Sequence, residues 1–212
     1  MFGSSVRAVG ALSADMAGFP SPFGRNDGGG LFDEYDEFVP EHIPDVGPFL
    51  EGHDVLADER HVSFHELTEK LFEERGVYDM TFGYNLARLN LDHRHPGAGY
   101  RYAEQRDDPT VLRAEFTPTT PFCPQSHTLT VGSFRAWNGL NERHDYDLVR
   151  VRVHPMHHES TPVNEQLEEL EEKYLETGSV TVVPEKRRDA GSNPMKRSMR
   201  AEGPDRGPQA PF

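Results

Sequence analysis

The feature that most constrains this chain is a repeated change of apolar period between residues 112 and 174. Leu112, Ala114 and Phe116 alternate with Arg113, Glu115 and Thr117, which is the period of a strand with one buried face. From about Gln125 to Leu140 the spacing becomes helical, with Leu129, Ala136, Trp137 and Leu140 on one side. Asp145–His154 returns to alternation, Val149, Val151 and Val153 opposing Arg150 and Arg152. Val163, Leu167, Leu170 and Tyr174 then follow at steps of four, three and four, the best amphipathic helix in the chain. Each strand face and helix stripe needs an apolar partner, so this order predicts helices laid against one sheet.

Upstream, Ser63 and Glu66 have capping-box spacing, Phe64, Leu67 and Leu71 share a face, and Gly76 is a stop signal. A strand is expected at Leu86–Leu91. The polar connector 92–111 reads as a surface insertion or functional loop, with an extra strand around Tyr100-Arg101-Tyr102 as the alternative for its middle. Downstream, Thr161 is a good N-cap with Pro162 in first helical position, Gly178 ends the last helix, and Val180–Val183 reads as a short closing strand. The fold class is therefore α+β: a small mixed sheet with helices packed on one face, flanked by disordered tails.

Composition separates the domain from its ends. Apolar residues make up 35% of the 212, with 19 Gly and 17 Pro, against the roughly 45–50% usual for soluble domains when glycine is counted. The shortfall lies mostly at the termini. Residues 1–51 read as a disordered arm and acidic segment, 52–183 as the folded domain, and 184–212 as a disordered basic tail of net charge +3. Residues 31–59 carry ten acids and no Lys or Arg, with Leu31, Phe32, Tyr35, Phe38, Val39 and Ile43 interspersed. Such a stretch is either a solvated linker or a segment that docks on a partner or on its own domain.

The net charge is −14, and the basic residues are 18 Arg and only 4 Lys. An acidic chain that favours Arg over Lys resembles proteins of salt-loving archaea, where charge screening is short-ranged. Its average field repels nucleic acid and acidic membranes. No apolar run approaches the roughly 20 residues of a membrane span, and the start lacks the pattern of a secretory signal. The expected setting is cytoplasmic, with no membrane or nucleic-acid partner.

The single cysteine, Cys123, excludes an internal disulfide and a four-cysteine zinc site within one chain. It follows a strand end at Thr117 and a Pro-stiffened loop, and Pro124 suits the first turn of the next helix. Cys123 is then expected at the N-cap, where free N–H groups and the helix dipole favour a thiolate. Thr117, Thr119 and Thr120 offer hydroxyls nearby, and His127 lies one turn into the helix. A structural thiol packed beneath the loop is the alternative.

The run Ala114-Glu-Phe-Thr-Pro-Thr-Thr-Pro-Phe-Cys-Pro124 resembles the threonine-proline and cysteine signature of a small iron–sulfur assembly domain family. That family includes the eukaryotic cytosolic iron–sulfur targeting factor (the MIP-eighteen protein) and the bacterial SufT and PaaD proteins. A second stretch, Val151-Arg-Val-His-Pro-Met-His-His-Glu-Ser160 followed by Val163-Asn-Glu-Gln-Leu167, is similar to the eukaryotic branch, with His158 as the matching histidine. The resemblance covers about residues 111–183. The family's Asp-Pro-Glu element has no counterpart, and the corresponding stretch reads Val77-Tyr-Asp-Met-Thr-Phe-Gly-Tyr84. The resemblance implies a non-enzymatic maturation factor, with Cys123 as functional thiol and Thr117, Thr119, Pro121, Pro124 and His158 as supporting motif positions.

A cluster usually needs four protein ligands, mostly thiolates, so one Cys per chain holds none alone. A homodimer offers two, and a client protein, a small thiol or histidine must supply the rest. Cys123 is thus a candidate intermolecular metal ligand for a transient iron–sulfur cluster, with no stably bound cofactor expected, and the partners are iron–sulfur client or scaffold proteins. Two other readings stay open: a thiol- or metal-dependent enzyme centred on Cys123 with His127 or His158 in reach, and an interaction protein using its acidic arm and basic tail. His154, His157 and His158 form one histidine group and His93-Arg-His95 another, neither with a recognised zinc spacing. The pairs Asp107-Asp108, Glu168-Glu169 and Glu171-Glu172 read as solvated faces.

Overall fold

A computed structural model describes residues 30–35 and 39–180. The expected N-terminal arm up to residue 29, the basic tail and the closing strand beyond Val180 lie outside the described residues. The expected α+β class is what forms. A four-stranded sheet has the order β1 (Asp54–Val55), β4 (Gly99–Gln105), β5 (Asp108–Thr117), β6 (Leu148–Val153), and a two-stranded hairpin joins β2 (Tyr78–Asp79) to β3 (Tyr84–Asn85). β1, β4 and β5 pair antiparallel in sequence, and β6 pairs parallel to β5. Three helices accompany them, α1 (Asp58–Arg75), α2 (Ser126–Asn138) and α3 (Ser160–Thr177). Among the described residues no helix is long and apolar enough to cross a membrane.

Register explains the core. Tyr100 faces Phe116 and Tyr102 faces Ala114 across β4 and β5, while Leu112, Ala114 and Phe116 lie beside Val149, Val151 and Val153. One sheet face therefore carries eight apolar side chains, all essentially buried. Phe64 and Phe72 of α1 and Phe134 and Trp137 of α2 fill the layer above them, with the Trp137 indole N–H donating to Thr68 Oγ1 at 3.2 Å. α3 packs against α2 and β6, burying Val163, Leu167 and Tyr174 as its spacing predicts.

Three asparagines finish the strands. Asn164 of α3 accepts from the Val153 N–H at 2.7 Å and donates to its carbonyl at 3.0 Å. Asn138 does the same for Val149, at 2.8 and 2.9 Å, and Asn90 for Tyr100, at 2.7 and 2.8 Å. A side-chain amide presents a carbonyl oxygen and an N–H side by side, much as a peptide edge does, so each replaces a missing ladder partner. The exposed rim that invites another strand is thereby closed at these points.

The opposite sheet face is polar, with Arg113 and Glu115 of β5 and Arg150 and Arg152 of β6. Arg152 binds Glu168 and Glu171 of α3, and Arg150 binds Glu171. The acidic stretch assigned above to an arm crosses this face. The Phe49 ring lies under the guanidinium groups of Arg113 and Arg152, at 4.6 and 5.1 Å, and the Phe49 N–H donates to Glu115 Oε2 at 2.9 Å. Leu50 is fully buried, and Gly47 has no room for a side chain, since a Cβ there would meet Glu115 Oε1 at 1.6 Å. The docked alternative thus holds for this segment, on its own domain, and the solvated-linker reading does not.

Other local expectations are corrected. α1 begins at Asp58, not at Ser63, and its N-cap Ala57 has no side-chain cap. The extra turn buries His61 and places Asp58 and Glu59 at the positive end of the helix dipole. Leu86–Leu91 is a 3-10 helix, not a strand: Leu86 and Leu89 both point inward three residues apart, and the Asn85 side chain caps the turn by accepting from the Ala87 N–H. The connector 92–111 is largely β4 and the start of β5, so the strand around Tyr100–Tyr102 forms and the insertion reading falls. Residues Glu159 and Ser160, not Thr161 and Pro162, open α3. The stops at Gly76 and Gly178 occur as expected, both in the left-handed region with φ of 68° and 66°.

Candidate functional site

β5 ends at Thr117, and residues 118–125 carry the chain into α2. The Cys123 N–H donates to the Thr120 carbonyl and the Ser126 N–H to the Cys123 carbonyl, both at 3.3 Å, which folds the loop into two successive turns. Gln125, not Cys123, is the helix N-cap. Cys123 sits two residues before the N-cap, half-buried, and its carbonyl accepts the Ser126 N–H of the first turn. The expected thiolate seat at the N-cap is therefore absent. Pro124 precedes the N-cap and is exposed, so it does not occupy the first helical position. Thr117 and Thr119 are half-buried, His127 is exposed, and among the described residues no hydrogen bond reaches the Cys123 sulfur.

The second motif stretch lies directly against this loop. The Pro121 carbonyl accepts both the backbone N–H and the imidazole Nδ1–H of His158, at 3.0 and 2.7 Å. Buried His157 places Nε2 3.0 Å from the Cys123 carbonyl, while its Nδ1 accepts from the Glu159 N–H at 3.3 Å. A carbonyl can only accept, so these contacts assign the neutral Nε2–H tautomer to His157. His154 supports the same turn by accepting from the Met156 N–H at 3.1 Å. Two segments separated by some 35 residues thus form one rim around Cys123. His158 was readable in the sequence as a motif position; His157, which reaches the cysteine itself, stood out only as part of a histidine group.

The surroundings of the rim are apolar and exposed. Phe122 is 71% exposed and rests on the His158 ring at a centroid separation of 5.0 Å. Met156 adjoins His157. Met80, in the β2–β3 turn, donates its N–H to the Gln125 side chain at 3.1 Å, and Gln125 Nε2 donates to Thr81 Oγ1 at 2.6 Å. Three of the six large hydrophobic side chains exposed among the described residues, Met80, Phe122 and Met156, therefore belong to segments that meet the loop and helix start around Cys123. Of the two histidines that the enzyme alternative names, His158 turns Nδ1 to the Pro121 carbonyl and His127 is exposed.

A second group of chemistry-bearing side chains comes together elsewhere. Phe32 and Asp92 form an antiparallel bridge, in which the Asp33 N–H donates to the Leu91 carbonyl at 2.8 Å and the His93 N–H to the Leu31 carbonyl at 3.0 Å. Residues on either side of a bridged pair share one face, which sets Asp33 beside His93. His42 is fixed to the same loop because its carbonyl accepts from the Gly97 N–H at 2.9 Å. His42 Nδ1 meets Asp33 Oδ2, and His93 Nε2 meets Asp33 Oδ1. Burial raises the Asp33 carboxyl, but the hydrogen bonds from His42 and His93 outweigh it and hold it below the ordinary carboxylate range. His95, the other member of the His93 pair, packs on the Phe82 ring instead. Of this group only His93 stood out in the sequence, as part of His93-Arg-His95; Asp33 and His42 did not, because the members come from three segments up to 60 residues apart.

Residues 30–181 match the model of a family described as a domain of unknown function, DUF7998, and the chain belongs to that family. No curated protein matches the chain.

Proposed function

We propose that this member of the DUF7998 family is a non-enzymatic iron–sulfur maturation factor, a cluster carrier or targeting adaptor that works through Cys123. The observation that carries the reading is the joining of its two motif segments: His157 and His158 hold the Cys123 loop by three hydrogen bonds to the carbonyls of Pro121 and Cys123. The resemblance rests on those same two segments, and their adjacency is what a shared site requires. The order hairpin, loop, helix, strand, helix supports the small α+β architecture that the resemblance implies.

The chemistry follows from ligand count and surface. A single thiolate cannot retain a cluster whose irons need about four ligands, so Cys123 acts on cargo that a partner also holds. Exposed Phe122, Met156 and Met80, on the segments that meet at the Cys123 loop, offer apolar surface of the kind on which a protein partner docks. Clients and scaffolds that present their own cysteines complete the ligand set, as would a second copy of this chain.

The test is anaerobic incubation of the full chain with iron and sulfide together with a cluster-accepting apoprotein, followed by visible absorption. Transfer that depends on Cys123 and is lost in Cys123→Ser supports the carrier form. Equal transfer by Cys123→Ser removes the ligand role.

A further inference from the structure

We propose that Asp33, His42 and His93 form a binding site for a divalent transition-metal ion of the zinc or iron(II) class, independent of Cys123. The groups that would coordinate, one carboxylate oxygen of Asp33 and one ring nitrogen each of His42 and His93, all lie within 4.8 Å of one another. Two imidazoles and one carboxylate are the donor set that borderline divalent ions such as zinc and iron(II) select, often with positions left for water or another ligand. Burial fits that use. The Asp33 side chain is 8% exposed, whereas those of His42 and His93 are 33% and 39% exposed, so the carboxylate anchors the site from within and its outer side faces solvent.

The site is built by the backbone rather than by mobile surface chains. The Phe32–Asp92 bridge fixes Asp33 against His93, and the Gly97 hydrogen bond fixes His42. Around it, Asp92 is already engaged by Arg94 and Tyr84, so it does not compete for the ion. The remaining imidazole nitrogens, His42 Nε2 and His93 Nδ1, point away from Asp33, which leaves each ring one nitrogen for the metal and one for solvent or a hydrogen-bonding partner. Without an ion, the same atoms form a carboxylate that accepts one N–H from each imidazole. The two states differ in which atom occupies the centre, and a titration separates them.

The experiment uses the untagged full chain, stripped with EDTA and kept in high salt to screen the acidic surface. Cobalt(II) is added and followed by visible absorption, and zinc(II) is added in competition. The expected result is one equivalent of metal, displaced by zinc, with affinity falling at least roughly tenfold in Asp33→Asn, His42→Gln and His93→Gln, a scale reached even by outer-shell partners. His127→Ala, which removes an exposed imidazole elsewhere, should bind like wild type. Histidine NMR on the wild-type chain gives a readout that needs no variant: zinc should shift the His42 and His93 ring nitrogens and leave those of His157 and His158 in place. Binding that survives all three substitutions, the absence of a stoichiometric site, or zinc shifts centred on other histidines overturns the proposal.

Discussion

Two histidine pairs in this protein use the same side chain for different ends. His157 and His158 turn one ring nitrogen each to a backbone carbonyl, contacts that pin a loop, and among the described residues the only carboxylate near either ring is exposed Glu159, 3.9 Å from His158 Nε2. His42 and His93 face the two oxygens of one buried carboxylate, an arrangement that accepts a divalent cation once each ring's proton moves to its outer nitrogen. The first pair positions Cys123; the second is itself a ligand set. The acceptor, not the histidine, decides which chemistry is available.

A third pair sharpens that comparison by showing what burial does alone. His61 and His65 stack inside the core, with ring centroids 5.6 Å apart, and His65 contacts the Tyr102 hydroxyl and the Ala87 carbonyl. Desolvation pushes His65 down to about 4, the Ala87 hydrogen bond opposing it, and desolvation together with the charges of His65 and Arg101 pushes His61 down to about 2. Folded pKa values below the unfolded 6.5 mean that the stability from these neutral rings is fully present above pH 6.5 and lost as pH falls toward the folded values. The expected loss between pH 7 and pH 5 is about 2 kcal/mol per histidine, partly offset by Glu115, whose carboxyl burial pushes up. Urea midpoints at the two pH values check it, and a midpoint that does not move with acid would contradict the buried neutral pair.

The metal pair gives the next largest effect. At a free zinc concentration about a hundred times the dissociation constant, ligand linkage stabilises the fold by about 2.7 kcal/mol. Thermal unfolding with and without zinc should show that gain in wild type and, at the same zinc concentration, about half of it or less in Asp33→Asn, whose affinity is at least roughly tenfold lower. Equal gains in both proteins would dissolve the contrast between the two pairs.

Smaller effects are expected at the rim. His157→Ala removes a buried ring and its hydrogen bond to the Cys123 carbonyl, for about 2 kcal/mol, and hydrogen exchange should quicken at the amides of Cys123 and Ser126. His158→Ala removes an exposed ring and should cost under about 1 kcal/mol, since its backbone N–H still reaches Pro121. Denaturant midpoints order the two. A larger cost at His158 would reverse the assignment of which histidine holds the cysteine.

What the sequence reveals and what it conceals follow from the range of the interactions. The alternation in β5 and β6, the stripe of Val163, Leu167 and Tyr174, and the glycine stops at Gly76 and Gly178 are encoded within a few residues, and they were legible. The Cys123 loop between strand and helix was legible for the same reason. Hidden were features that depend on distant partners. Asn90, Asn138 and Asn164 carry no local sign that they pair with strand edges. Leu86–Leu91 contains apolar residues compatible with two periods, and packing of Leu86 and Leu89 chose the shorter helix. The acidic run around Phe49 resembled a linker because the guanidinium groups it covers lie some 60 to 100 residues downstream. Asp33, His42 and His93 become neighbours only when a bridge joins residue 32 to residue 92.

The central claim is that the Cys123 rim serves iron–sulfur partners. Affinity capture with the full chain from its source organism, at that organism's own salt concentration, tests it most directly when wild type and Cys123→Ser are compared side by side. The account predicts iron–sulfur enzymes or their assembly scaffolds in the wild-type capture and their depletion with Cys123→Ser. A capture that contains no iron–sulfur proteins, or the same ones at the same yield without the thiol, would contradict it.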